Sequence, residues 1–303
     1  VLDSSVQNNI ATEGGGLWNS VAGTLLVESS TLNDNTADGT DGGGGILNQS
    51  ALNMSGAIIT SNRVTGTGAS GGGILNTGTL SMADSTISNN SSLRAGGGIE
   101  TTAGATVTLT DVDLLNNDTG SSPGNGGGLH MTGNGTVSVT GGDVMSNTAA
   151  AEGGGLWNGS GTMTVNGTTI RNNEAAGNAT AQGGGGLFNA GGTLIVTNAT
   201  IESNMATGTV MTPTDEAGSG GGILNDGGTL IVSDTTIRDN SSVRAGGGIE
   251  DNARTTSTTV SLDNVDLLDN ETGSSPGNGR TRPALRQYRT RGRAGLGHVR
   301  YGD

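Results

Sequence analysis

The chain of 303 residues contains no cysteine and no lysine, and only 2% of it is aromatic. The absence of cysteine excludes a fold held together by disulfides. No apolar run approaches the roughly 20 residues that cross a membrane as a helix, so we expect no membrane insertion. No signal segment precedes the first repeat, which suggests that the chain is a fragment of a longer protein.

Positive charge is scarce in all but the last part of the chain. Residues 1–279 carry 26 acidic residues and six arginines, whereas seven arginines lie between Arg280 and Arg300. Phosphate contacts require basic side chains, so we expect no binding of nucleic acid by this acidic body. A net charge near −20 over residues 1–279 suits a solvated surface protein or one that binds cations.

Glycine is abundant, with 59 residues, and it recurs periodically. Three glycines, then Ile or Leu, one variable residue and usually Asn form a motif that occurs nine times, 25 to 36 residues apart. The triplets begin at Gly14, Gly43, Gly71, Gly96, Gly126, Gly153, Gly184, Gly220 and Gly246. After each triplet come an alternating apolar segment and an apolar residue followed three places on by Asn.

This pattern predicts the fold class. Short, β-branched, alternating segments are typical of strands, and a repeat of this length is typical of a solenoid. We therefore expect an all-β protein, a single right-handed parallel β-helix of about nine coils with three short strands each, over residues 1–279. Glycine accepts positive φ at the corners, and the recurring asparagines can stack as ladders, so both are expected to be architectural.

The end of the chain departs from the repeat. Coils 1–5 correspond to coils 6–10, because NSSLRAGGGIE at 90–100 recurs as NSSVRAGGGIE at 240–250. From about Arg280 the repeat is replaced by an Arg-rich segment, residues 280–303. One codon choice for residues 282–289, read one base later, gives GLHFGNTG, close to GLHMTGNG at 128–135. We interpret the tail as a frameshifted continuation; the alternative is a basic arm for an acidic partner.

The two repeated motifs resemble those of a known group. The glycine motif followed by Ile or Leu, with the apolar-x-x-Asn motif, resembles the repeats of polymorphic outer membrane proteins. It also resembles right-handed parallel β-helix repeat proteins with the pectin-lyase-like fold. The second motif has Ile, Leu or Val where the polymorphic proteins usually have Phe. The resemblance implies a secreted or surface-exposed bacterial protein, and no particular activity, because the fold hosts lyases, hydrolases, adhesins and stalks.

The variable residue of the glycine motif is the first candidate site. It should point outward, and the column that it forms contains Trp18, Trp157 and Phe188, which we expect to bind a glycan or protein partner. Glu100 and His130 lie one coil apart in this column, about 5 Å from Cβ to Cβ. With Arg94 nearby, this pair has the chemistry of a general acid–base site.

Outward positions near the third strand provide two further candidates. Asp84 and Asp111 should share one column and Asp113 and Asp143 the next, where the four carboxylates could bind Ca²⁺; the alternative is a solvated acidic face. The same column carries threonines that could order water, although Asp113 and Asp143 interrupt them. These threonines are Thr31, Thr86, Thr169, Thr200 and Thr236.

Two functions remain open from the sequence. The first is a structural or binding module of a secreted or cell-surface bacterial protein, which contacts a glycan or protein partner through the aromatic column. The alternative is a hydrolase or polysaccharide lyase on the same scaffold, which uses Glu100 and His130, with or without Ca²⁺.

Overall fold

The fold was determined as a computed structural model, which describes residues 1–120, 123–208, 217–252 and 258–273. The described chain is all-β: it forms a parallel β-solenoid of about nine turns and contains no helix. The predicted parallel β-helix is therefore confirmed. The predicted Arg-rich tail, residues 280–303, lies outside the described residues.

The first sheet consists of the strands that follow the glycine triplets, and we call it the glycine sheet. Its nine strands stack in parallel, each containing the Ile or Leu, the variable residue and the Asn of the motif. They are Leu17–Asn19, Ile46–Asn48, Ile74–Asn76, Ile99–Thr101, Leu129–Met131, Leu156–Asn158, Leu187–Ala190, Ile223–Asp226 and Ile249–Asn252.

The second sheet, the wide sheet, has 17 strands because each coil contributes both of its later predicted segments to it. In two coils the segments form one ten-residue strand. The strands are Ser5–Gln7, Thr24–Glu28, Thr31–Asn33, Ala51–Ser55, Ile58–Thr60, Thr79–Ser88, Thr106–Leu115, Thr136–Thr140, Asp143–Met145, Thr162–Asn166, Thr169–Arg171, Thr193–Thr197, Thr200–Glu202, Thr229–Ser233, Thr236–Arg238, Thr259–Asp263 and Asp266–Leu268.

The third sheet, the narrow sheet, was not predicted. Ten strands of two residues follow the asparagines that close each repeat, too short to show any hydrophobic period. They are Ile10–Ala11, Thr36–Ala37, Arg63–Val64, Ser91–Ser92, Asp118–Thr119, Thr148–Ala149, Glu174–Ala175, Met205–Ala206, Ser241–Ser242 and Glu271–Thr272.

The core is one continuous apolar column inside the solenoid. Each coil contributes the aliphatic residue after its triplet, two residues of the alternating strand and one of the next strand. In the second coil these are Ile46, Leu52, Met54 and Ile59, all buried. Because parallel strands here pair residue for residue, equivalent aliphatic side chains stack on one another from coil to coil.

A ladder of ten asparagines closes the corner between the wide and narrow sheets. Each side-chain amide donates to the Oδ1 of the next asparagine, and that Oδ1 also accepts the backbone N–H of the preceding one, as between Asn90 and Asn117. The members are Asn9, Asn35, Asn62, Asn90, Asn117, Asn147, Asn173, Asn204, Asn240 and Asn270. The predicted ladder is thus present, and in the interior coils it is fully buried.

The glycine triplets are needed because backbone passes close to each of them. A Cβ on Gly97 would lie 2.5 Å from the carbonyl oxygens of Asp118 and Gly127. A Cβ on Gly98 would lie 2.5 Å from the carbonyl oxygen of Gly128, and 3.2 Å from the Asn117 amide. The second and third glycines therefore lie against the next coil and the asparagine ladder, where no side chain fits.

Candidate functional site

The variable residues of the glycine motif form one column, which we call the variable column. Strand register places Glu100 beside His130, His130 beside Trp157, and Trp157 beside Phe188. The predicted neighbours of the column are therefore neighbours in the structure. Trp18 lies three coils before Glu100, separated from it by two leucines of the same column.

The variable column is not the open strip that we expected. Glu100, His130 and Phe188 are 2%, 3% and 2% exposed, and Trp157 is only partly exposed. Trp18 is the exception at 61% exposed, and its indole N–H donates to Gln49 Oε1 at 3.1 Å. The expected exposure of the column was wrong for these buried members, and their binding roles remain predictions.

The column is buried because the chain folds back over it. The first glycine of each triplet has positive φ and directs the incoming loop across the strand that follows. At Gly126 (φ 65°), a Cβ would lie 2.6 Å from the Cβ of His130. Residues of these loops, such as Arg94 and Glu152, consequently reach the outer side of the column.

The Glu100 and His130 side chains form the predicted pair. His130 Nδ1 lies 2.6 Å from Glu100 Oε2, a short hydrogen bond between two buried groups. The Thr132 hydroxyl donates to Glu100 Oε1 at 2.6 Å and lies 3.2 Å from His130 Nδ1. Arg94 Nη1 lies 3.7 Å from Glu100 Oε1, so it adds a positive charge to the same carboxylate. This geometry fixes the imidazole ring and its orientation.

Aromatic stacking extends the pair along the column. The ring centroids of His130 and Trp157 lie 4.2 Å apart at 29°, and those of Trp157 and Phe188 lie 6.0 Å apart at 4°. The Trp157 indole N–H donates to Glu152 Oε2 at 2.9 Å. Burial raises the pKa of the Glu152 carboxyl; the bond from Trp157 and the nearby His130 act in the opposite direction.

The coils that carry Glu100 and His130 also interrupt a second ladder, which the asparagines of the glycine sheet form. In the glycine sheet, the Asn158 amide donates to Asn189 Oδ1 at 2.7 Å, as in neighbouring coils. In coils 4 and 5 the equivalent positions are Thr101 and Met131. Met131 cannot donate, and within the described chain the buried Oδ1 of Asn158 has no hydrogen-bond partner. The region around the pair is therefore a break in an otherwise regular scaffold.

The second half repeats part of the arrangement. Arg244 donates to Glu250 and, through Nε, to Ser219 Oγ at 2.8 Å. In the first half, Arg94 donates to Ser70 Oγ at 3.0 Å, so the arginine and serine of both halves are equivalent. The histidine that would follow Glu250 falls in the predicted frameshifted tail, outside the described residues.

The four predicted calcium ligands do not form one cluster. Asp84 (φ 47°) and Asp111 (φ 50°) occupy left-handed corners inside the two ten-residue strands, where Asp is tolerated for its backbone conformation. Asp143 donates its backbone N–H to Asp113 Oδ1 at 2.9 Å and lies 3.5 Å from Arg171. In the described part of the chain no group of three or more His, Asp or Glu side chains could bind a metal. The calcium site remains a prediction without further support.

Two residues of the site were missed in the sequence. Thr132 lies two residues after His130, and the strand period of two would have placed both on one side. Glu152 belongs to the EGGGLWN segment that occurs at 13–19 and 152–158, so its recurrence was visible although its partner was not.

Comparison with protein-family models, with curated proteins and with solved structures finds no match to this chain. The resemblance to β-helix repeat proteins therefore depends on the two motifs and on the observed solenoid. In the described residues, no helix has the length and apolar character required to cross a bilayer.

Proposed function

We propose that the chain is a structural and binding module of a secreted or surface-exposed bacterial protein, and that it contacts a glycan or protein partner. The observation that carries this proposal is the burial of the Glu100–His130 pair beneath loops, in a rod with one unbroken asparagine ladder. Such a rod suits the presentation of an outer surface at a distance, because each coil is fixed to its neighbours.

Trp18 is the member of the variable column that is best placed for contact. Its indole is 61% exposed and its N–H is oriented by Gln49, so that one aromatic face is available to a sugar ring. Trp157, with the same local sequence, is instead packed between His130 and Phe188. Trp18 is therefore available for contact with a partner, whereas Trp157 packs within the column.

Binding to immobilised glycans and to surface-protein extracts would test the module. Trp18→Ala should weaken binding at least about tenfold, or about 1.4 kcal/mol, without a change in the melting temperature. Trp157→Ala serves as the comparison: it should lower the melting temperature and affect binding only through loss of fold. Binding that is absent, or that survives Trp18→Ala unchanged, would contradict the proposed contact.

The alternative is a hydrolase or polysaccharide lyase that uses Glu100 and His130, with Arg94 beside them. The 2.6 Å hydrogen bond favours it, because a carboxylate oriented on Nδ1 is what general acid–base chemistry requires. Substrate access would require the covering loop to move. Turnover of ester, phosphoester or polyuronate substrates that is lost in His130→Gln, with the fold retained, would establish the enzyme. Loss of that turnover with a chelator would add the calcium dependence.

A further inference from the structure

The His130 ring has one nitrogen that the described chain leaves unused. Nδ1 is bonded to Glu100, and Thr132, two residues later in the strand, also approaches that nitrogen. The two nitrogens of an imidazole point in nearly opposite directions, so Nε2 faces back toward the loop that enters the strand through Gly126. Within the described residues Nε2 forms no hydrogen bond, although His130 is only 3% exposed. The imidazole therefore presents a buried, unpaired nitrogen to this loop.

Asn125, the residue before Gly126, is directed at the same place. The residues that precede the glycine triplets pair from coil to coil, and Asn125 pairs with Glu152. Glu152 reaches the variable residue of its own coil, because its Oε2 accepts the Trp157 indole N–H. Paired residues of parallel strands share a side, so Asn125 is directed at the variable residue of its coil, His130. Asn125 is 8% exposed, and its Oδ1 has no hydrogen-bond partner in the described chain.

The Glu152 carboxyl lies beside Asn125 on the next coil, about 4.8 Å further along the rod. Trp157 holds Oε2, which leaves Oε1 for another partner. Burial raises the pKa of this carboxyl, the bond from Trp157 lowers it, and the charges of Asp226 and His130 act on it in opposite directions. Glu152 and His130 are therefore within electrostatic reach of each other. An imidazole nitrogen, an amide oxygen and a carboxyl oxygen thus converge on one side of the variable column.

The support around these three atoms is that of a metal ligand set. A histidine that binds a metal usually donates its other ring N–H to a carboxylate, which fixes the ring and strengthens the ligand. Glu100 is placed to accept this bond from His130, and Thr132 in turn holds Glu100. One imidazole with oxygen ligands suits a divalent transition-metal ion such as Zn²⁺, and the chain has no cysteine to compete for it. A water molecule could satisfy two of the acceptors, but it would bring no positive charge to Glu152.

The segment EGGGLWN occurs twice, and only its second copy adopts this arrangement. In this chain no histidine comes before the first copy, and there the Trp18 indole donates to Gln49. In the second copy the Trp157 indole donates to Glu152 instead, and its ring stacks on His130. The fixed position of Glu152 is therefore a property of the coil that follows His130, and not of the segment in general.

We propose that His130 Nε2, Asn125 Oδ1 and Glu152 Oε1 bind a divalent transition-metal ion of the Zn²⁺ type. Glu100 is the residue that positions the histidine. Three protein ligands leave a fourth, open position for water or another ligand. The site is separate from the calcium ligands expected on the wide sheet. It does not depend on the proposed module function, because the Trp18 contact belongs to another part of the variable column.

Equilibrium dialysis of the full chain against Zn²⁺, after removal of bound metal with a chelator, tests the site. The protein carries no histidine tag, and His298, the other histidine of the chain, is replaced by Gln throughout. The parent should bind one equivalent of Zn²⁺, more tightly than Ca²⁺. Asn125→Ala should weaken Zn²⁺ binding at least about tenfold, and Glu100→Gln about 10- to 100-fold, which is the usual effect of losing an outer partner. Asn134→Ala, at an exposed asparagine of the same coil, is the matched control and should bind like the parent.

Co²⁺ gives a second readout at the site itself. The chain contains two tryptophans, and Trp157 is the one that stacks on His130. In a Trp18→Phe background, Co²⁺ should quench Trp157 fluorescence and saturate at one equivalent. Asn125→Ala should require at least about tenfold more Co²⁺ for the same quenching. Because Asn125 lies in a loop, this variant keeps the test decisive if His130→Gln fails to fold.

Three results would overturn the metal site. The first is a parent that binds Zn²⁺ no more tightly than Asn125→Ala does. The second is equal weakening in Asn134→Ala, since the effect would then not belong to the three ligands. The third is tighter binding of Ca²⁺ than of Zn²⁺, which would assign the cation to the acidic face of the wide sheet. Loss of the partner contact in Trp18→Ala would leave all three measurements unchanged, so the two proposals can fail separately.

Discussion

Removing one interior member of the asparagine ladder should destabilise the rod far more than removing a terminal one. The Asn117 side chain makes four hydrogen bonds. It accepts from the backbone N–H and the amide of Asn90, at 3.1 and 3.0 Å. It donates to the Ile87 carbonyl oxygen at 2.9 Å and to Asn147 Oδ1 at 3.0 Å. Asn117→Ala removes all four at a site that is fully buried.

The cost follows from the groups that are left behind. Two donors of Asn90 lose their acceptor, and each unsatisfied buried group costs about 1–3 kcal/mol. We therefore expect the free energy of unfolding to fall by about 2–6 kcal/mol, a large part of the 5–15 kcal/mol typical of a domain. Asn9→Ala removes only the bond from its own amide to Asn35 Oδ1, so it should cost about 0.5–1.5 kcal/mol.

Urea unfolding of the parent and both variants would measure the difference. Native-state hydrogen exchange would show where the rod is destabilised, because a solenoid can open locally. Protection of the backbone N–H of Asn90 should fall at least about tenfold in Asn117→Ala. Equal costs for the two variants, or unchanged protection at Asn90, would refute the assignment of stability to the ladder.

Three further predictions concern the buried carboxyl of Glu152, two glycines and the interrupted ladder of the glycine sheet. Burial raises the pKa of Glu152, so its stabilising effect is complete below the unfolded-state pKa and is lost as pH rises through the folded-state value. As pH rises from about 4 to about 8, the urea midpoint of Glu152→Gln should therefore fall less than that of the parent. Parallel pH profiles of the two midpoints would contradict this. Gly97→Ala should lower the free energy of unfolding by more than the roughly 1–3 kcal/mol of ordinary overpacking, because backbone lies against that glycine. Gly167→Ala, where a Cβ would have no atom within 4 Å, should cost only the strain of its positive φ in the same urea unfolding experiment. Met131→Asn should change stability by less than about 1 kcal/mol, or increase it, because it supplies the donor that Asn158 lacks; a loss above about 3 kcal/mol in urea unfolding would show that packing of Met131 matters more.

The scaffold could be predicted from sequence because its requirements recur in every coil. Backbone crowding at Gly97 and Gly98 is the same at each triplet, so only glycine is found there. The ladder likewise requires an amide at each rung, and the residue before every rung has positive φ and is Asn, Asp or Ser. A physical constraint that acts in every coil therefore appears in the sequence as a residue type that recurs in every coil.

The candidate site could be predicted only in part. Strand register correctly placed Glu100 beside His130, because neighbours in a parallel solenoid follow from the repeat. Burial of the pair did not follow, since alternation tells which side of a strand a residue occupies but not which loop covers that side. The loops vary in length and sequence from coil to coil. The contribution of Glu152 to the column depends on one such loop.

The asparagine ladder has a direction. Every side-chain amide donates toward the later coil, so nine links add their dipoles along the rod axis. A coil inserted without its asparagine would interrupt the ladder at two links, one on each side of that coil. Length varies most in the loops between a rung and the next triplet, which contain from four residues after Asn9 to 15 after Asn204. The ladder therefore holds the coils in register, while the loops that connect each asparagine to the next triplet differ in length and sequence.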